Sequence, residues 1–127
     1  MSEPYNEAVR ELFADLRNAG DLQQGSGRIV SAGVGSAAGG AEIELSAMIA
    51  GNQVVELKFR AFGCPHLLAA CEYCCRQISG SPLASVSGVE YQELMETLAV
   101  PVEKSGSIIL LEDALASLVA QLDDKRL

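Results

Sequence analysis

A chain of 127 residues, 49% of them hydrophobic and 20% charged, is long enough to bury a core without disulfides or a structural metal and too apolar to remain disordered. Its formal charge of -8 disfavours nucleic acid as a partner, since Arg10, Arg17, Arg28, Lys58, Arg60 and Arg76 are scattered and make no basic stripe. No linker-like shift in composition divides residues 1–127, so a single domain is expected.

The opening Met1-Ser2-Glu3-Pro4 lacks the basic-then-apolar pattern of a secretory signal, and no apolar run is read as approaching membrane-spanning length. A cytoplasmic protein with no membrane partner is expected. Residues 4–18 are predicted helical, with Pro4 in the first turn, Val9, Leu12, Phe13 and Leu16 in an apolar stripe, and Asn18-Ala19-Gly20 as the end. After a polar, Gly-rich passage, Arg28-Ile29-Val30-Ser31 reads as the start of a strand. Residues 33–40, Gly-Val-Gly-Ser-Ala-Ala-Gly-Gly, read as a flexible loop.

Residues 42–49 alternate polar and apolar side chains, and Val55, Leu57, Phe59 and Ala61 alternate again after the turn Ala50-Gly51-Asn52-Gln53. Two such runs across a Gly-Asn turn predict an antiparallel hairpin. Helices are predicted at about 65–79, 89–98 and 107–122, with a short piece near 81–86. The expected fold is α+β: a three-stranded antiparallel sheet with helices packed on one face. Glu42 and Glu44 are expected to face water.

The chemistry-bearing tract is Phe62-Gly63-Cys64-Pro65, at the junction of the last strand and the 65–79 helix. Gly63 permits a sharp turn, Cys64 suits the N-cap and Pro65 the first helical position. A thiol there feels unpaired N–H groups and the positive end of the helix dipole, which favour the thiolate that binds metal or accepts sulfur. The alternative is a small buried residue at a turn. The remaining cysteines, Cys71, Cys74 and Cys75, cluster with it in one short segment, which argues for free thiols rather than a disulfide framework.

Cys71, Cys74 and Cys75 fall on one helix face, and Leu67 or Leu68, Cys71, Cys74 or Cys75, and Ile78 make an apolar stripe, which favours core packing of Cys71 and at least one of Cys74 or Cys75 over intrahelical metal or redox chemistry. Cys64 and Cys71 are on the order of 10 Å apart along the axis, so one metal site using both would distort the helix. His66, the chain's one histidine, could orient the Cys64 thiol or complete a metal shell, but exposure on the helical turn is the favoured reading. The 33–40 loop lacks the Gly-Lys-Ser/Thr ending of a phosphate cradle and precedes a strand.

Together these pieces resemble the IscU/NifU-type scaffold for iron–sulfur cluster assembly. The resemblance rests on Tyr5, Val9 and Phe13 ahead of Arg17-Asn18-Ala19-Gly20, the hairpin, Phe59-Arg60-Ala61-Phe62-Gly63-Cys64, Ile78-Ser79-Gly80, and Glu112-Asp113-Ala114-Leu115. It implies a non-enzymatic scaffold, an iron–sulfur cluster or zinc as the bound group, a cysteine desulfurase as partner, and a chaperone reading a Pro-Val segment, here Val100, Pro101 and Val102. Family members carry three ligand cysteines, the first in a Cys-Gly-Asp motif before the hairpin and the third, after a histidine, before the final helix. Ala37-Ala38-Gly39-Gly40 and Glu103-Lys104-Ser105-Gly106-Ser107 hold those places, and only Cys64 carries over. Glu103 also stands where the chaperone segment has lysine. Three readings follow: a divergent scaffold accepting sulfur at Cys64 or binding a desulfurase; a replacement metal site from Cys64, His66, Cys71, Cys74 and Cys75; or an interaction protein with no cluster.

Overall fold

The computed structural model describes residues 5–23, 25 and 27–124. Its chain order is α1 (Glu7–Ala14), β1 (Arg28–Ser36), β2 (Ala41–Ala50), β3 (Gln53–Phe62), α2 (Pro65–Ile78), β4 (Ser81–Pro82), α3 (Tyr91–Thr97) and α4 (Ser105–Asp124), with 3-10 turns at Ala37–Gly39, Leu83–Ser87 and Val102–Lys104.

The expected hairpin forms between β2 and β3 and gains a strand on each side, giving one antiparallel sheet in the order β1-β2-β3-β4. Among the described residues the sheet thus has four strands rather than three. The added β4 is only two residues long, Val54 pairing with Ser81 and Gln53 with Pro82, too short for any period to announce it. Inward positions of the long strands, among them Ile43, Leu45, Leu57 and Phe59, are almost wholly buried, while Glu42 and Glu44 face water as expected. The inner face is covered by α2 on β3 and by α4 on β1 and β2.

The passage expected to be a loop is ordered differently. Residues 33–36 continue β1, with Val34 opposite Ile43 and Gly35 opposite Glu42, and the turn Ala37–Gly39 then closes the connection. Gly35 is there because of close approach. With φ +80°, a Cβ on it would lie 2.4 Å from the Ala41 carbonyl oxygen and 3.0 Å from Leu110 Cδ2.

Helix α1 is shorter than its apolar stripe predicts. Asn6 caps its start by accepting a 2.9 Å hydrogen bond from the Val9 N–H, and Pro4 lies outside the described residues. Beyond Ala14 tertiary partners take the chain: Glu72 accepts from the Asn18 N–H, and the Gly20 N–H donates to Phe59 O at 2.8 Å.

Helix α4 corrects the expectation about apolar length, because Val102–Leu122 is long and apolar enough to cross a membrane by length and composition. Its apolar face, however, is part of the core: Ile108, Leu111, Ala114, Leu115, Leu118 and Leu122 recur at helical spacing and are buried. That is how a core helix of a packed α+β domain passes the same test.

Candidate functional site at the strand-to-helix corner

Cys64 is the N-cap of α2, in extended backbone, and its carbonyl accepts from the Leu67 and Leu68 N–H groups at 3.0 and 3.2 Å. Pro65 takes the first helical position and gives up no hydrogen bond in doing so. Gly63 lets the corner close on the fully buried Leu67, whose Cδ2 lies 2.6 Å from where a Cβ would stand. The thiol makes no capping bond and instead faces α4, with Cys64 Sγ 3.9 Å from Ser107 Oγ.

Ser107 belongs to the wall of an open groove of about 520 Å³, which runs from Ser36, Gly39 and Gly40 to Glu103, Lys104 and Leu110. The groove therefore joins the end of β1, the turn behind it and the start of α4, with the Cys64 corner against Ser107. These are the three places where the resemblance puts ligand cysteines, and the fold brings them together with one thiol.

That donor set does not fit the groups the resemblance implies. A [2Fe-2S] cluster takes four protein ligands, usually thiolates, and structural zinc takes four nitrogen or sulfur donors. Here the groove offers the hydroxyls of Ser36 and Ser107, the Glu103 carboxylate and the cationic Lys104 beside one sulfur. Neutral hydroxyls are poor substitutes for soft thiolates. Among the described residues no group of three or more His, Cys, Asp or Glu side chains is placed to hold a metal ion.

The described residues do not bring the replacement metal site together. Cys71, Cys74 and Cys75 are fully buried and pack with Leu67, Ile78, Phe59 and the α4 residues in the core, while Cys64 alone among the cysteines is part-exposed. Burial pushes all three thiols up, Cys74 to about 12 with Glu93 adding to the effect, so they are held as neutral core groups.

His66 is a second correction. It is only 3% exposed, its ring centroid 4.9 Å from that of Tyr5, and neither ring nitrogen has a hydrogen-bond partner among the described residues. It therefore makes no hydrogen bond to Cys64. An early helical position is normally wet, but the chain preceding α1 lays Tyr5 over it.

Burial, and secondarily the charge of Lys104, lower the His66 pKa from the ordinary 6.5. A base whose folded-state pKa is depressed leaves stability unchanged above the unfolded value and removes it below, because the unfolded chain then binds the extra proton. The urea midpoint is thus expected to be flat above pH 6.5 and to fall on acidification below it, and His66→Phe should remove that component. An unchanged acid dependence in the variant would show that other groups set it.

The Pro-Val segment is divided by the fold. Val100 is a core residue at 8% exposure, Pro101 is half-buried and Val102 is 83% exposed. The turn entering it places Ala99 at φ 48°. Only Val102 is fully presented, so the three residues do not form one exposed recognition strip.

Sequence reasoning missed Glu72, which is fully buried. Its Oε1 accepts from the Asn18 N–H at 2.9 Å, and its Oε2 accepts from Asn18 Nδ2 and Arg76 Nε, each at 2.7 Å. The available signal was Arg76, four residues on, at the spacing of a helical ion pair.

A four-stranded antiparallel sheet backed by α2 and α4, with a thiol at the β3–α2 corner facing a groove at the start of α4, defines an α+β domain of scaffold type. Residues 4–127 match the family described as NifU-like N terminal domain, and the chain belongs to that family. It is 27% identical over 123 residues to the mitochondrial iron sulfur cluster assembly protein 1 of Yarrowia lipolytica, covering 96% of this chain and 68% of that one. It is 26% identical over 123 residues to the iron–sulfur cluster assembly scaffold protein IscU of Haemophilus influenzae, covering 96% and 98%. The crystal structure of the N-terminal NifU-like protein of Brucella abortus shares the fold, with a TM-score of 0.69, 18% identity and 94% of each chain covered.

Proposed function

We propose that this chain is a divergent, non-enzymatic scaffold-like protein of iron–sulfur cluster assembly, whose contribution is to accept sulfur at Cys64 from a cysteine desulfurase. The observation that carries this reading is the isolation of Cys64. It is the one part-exposed cysteine of four, held by backbone at a fixed corner against a groove that otherwise supplies hydroxyl, carboxylate and ammonium groups. Membership of the family supports cluster assembly as the setting. A cluster is cargo there, and one thiol does not hold it.

In the transfer step the Cys64 thiolate attacks the terminal sulfur of a protein persulfide. A new S–S bond forms at Cys64, the donor's S–S bond breaks, and the donor leaves as a thiolate. Family membership supports the desulfurase as partner, whereas the burial of Val100 and the presence of Glu103 weigh against chaperone recognition through this segment. Bacterial and mitochondrial relatives support an aqueous interior compartment, and for this chain we take the cytoplasm.

The test is anaerobic incubation with a cysteine desulfurase and sulfur-labelled cysteine. Wild type is expected to acquire label and Cys64→Ser to lose essentially all of it. Label that persists in the variant, or a wild type that neither binds desulfurase nor takes label, would overturn the proposal.

A further inference from the structure

We infer that the groove beside Cys64 keeps a transferred sulfur atom as a persulfide for hand-on to another thiol, because the residue facing the thiol is serine. This rests on the reading of Cys64 as sulfur acceptor. Ser107 Oγ, in the first turn of α4, is 3.9 Å from Cys64 Sγ. A sulfur bonded to Cys64 stands about 2 Å from Sγ, so it remains beside Ser107 and the groove. The hydroxyl is neutral and cannot displace it.

A thiolate at the same place would. It would attack Cys64 Sγ of the persulfide and form a disulfide, and hydrosulfide would leave with the electron pair of the broken S–S bond. No other cysteine of the chain is placed to do this. Cys71, Cys74 and Cys75 are buried in the core, and the nearest in sequence is about two helical turns on. With no thiolate of the chain facing it, the sulfur is handed on when an external thiolate attacks the terminal sulfur, taking it as a new persulfide and releasing Cys64 as thiolate. The chain is in this sense a sulfur carrier: its fold positions the sulfur, and the loss of the facing thiol prevents internal release.

The experiment loads the full chain with inorganic polysulfide under anaerobic conditions, removes the excess by gel filtration, and follows free sulfide and intact mass with no added thiol. Wild type and Ser107→Ala are expected to retain one extra sulfur at Cys64. Ser107→Cys is expected to release one sulfide per loaded chain and to acquire a disulfide between positions 64 and 107. Sulfide release from wild type or Ser107→Ala at the rate of Ser107→Cys, or a persulfide that survives in Ser107→Cys, overturns the inference. A wild type that takes up no sulfur overturns instead the reading of Cys64 as acceptor, so the two failures are distinguishable.

Discussion

Glu72→Ala is expected to lower the stability of the domain by about 2–4 kcal/mol, read as a lower urea midpoint at an unchanged slope. The carboxylate is fully buried and accepts three hydrogen bonds, two of them from Asn18 and one from Arg76. Arg76 in turn donates to the Asp15 carbonyl at 2.6 Å. Truncation strands the Asn18 donors and removes the charge opposite Arg76, and it opens a cavity under the 15–20 segment. Because Arg76 keeps part of its surface in water, the loss should fall below that of a wholly buried pair. The same segment continues into the Ala19 bridge to Phe59 and holds β3 against α2 just before the Cys64 corner. A loss below about 1 kcal/mol would show that water satisfies these groups once the carboxylate is gone.

Gly35→Ala should be nearly as damaging for a different reason, at about 2–4 kcal/mol from left-handed backbone and overpacking together. The new Cβ would meet a backbone oxygen, Ala41 O at 2.4 Å, which cannot rotate aside as a flexible side chain can. Relief requires β1 and β2 to separate at Gly35 and Glu42, with Leu110 giving way at the groove wall as well. Hydrogen exchange is the discriminating readout: faster exchange is expected at residues 34–43 while the β2–β3 ladder stays protected. Protection equal to wild type at 34–43 would contradict the packing argument. Gly40 also has positive φ, but no atom lies within 4 Å of where its Cβ would stand, so alanine there carries only the backbone cost.

The parts of this fold legible in the sequence are those whose local pattern and tertiary environment agree. The β2–β3 hairpin shows period two because one face is buried, and α2 and α4 show helical spacing because each covers that face. The corner was legible down to the N-cap cysteine and the following proline, since glycine, cap and proline are backbone signals. Residues 33–36 were not, because their composition matches a loop and only pairing with β2 makes them strand. Burial of His66 was equally hidden, for it depends on Tyr5, which is distant in sequence. The loss of ligand cysteines was readable as residue types. The 3.9 Å approach of Ser107 to Cys64 was not, because it joins the two ends of separate helices.

Those cases have a common physical basis. Periodicity reports which face of an element is covered but not by what, and a single buried polar group such as Glu72 leaves an apolar stripe looking intact. The core therefore tolerated a carboxylate that the pattern alone would have placed in water, and three thiols that invited a chemistry their burial denies. At the site, the fold kept the meeting of β1, the corner and α4 while the donors changed. Geometry and ligand chemistry have come apart here, and on the proposed function the residues that remain serve a sulfur atom rather than a cluster.

Peptide mapping of the sulfur position after turnover with a cysteine desulfurase tests this most directly. The full chain is incubated anaerobically with desulfurase and cysteine, digested under conditions that preserve persulfides, and each of its four cysteines is scored for an added sulfur. The sulfur is expected on Cys64, with Cys71, Cys74 and Cys75 unmodified in the folded chain. Sulfur on any of those three in preference to Cys64, or on none of the four, would contradict it.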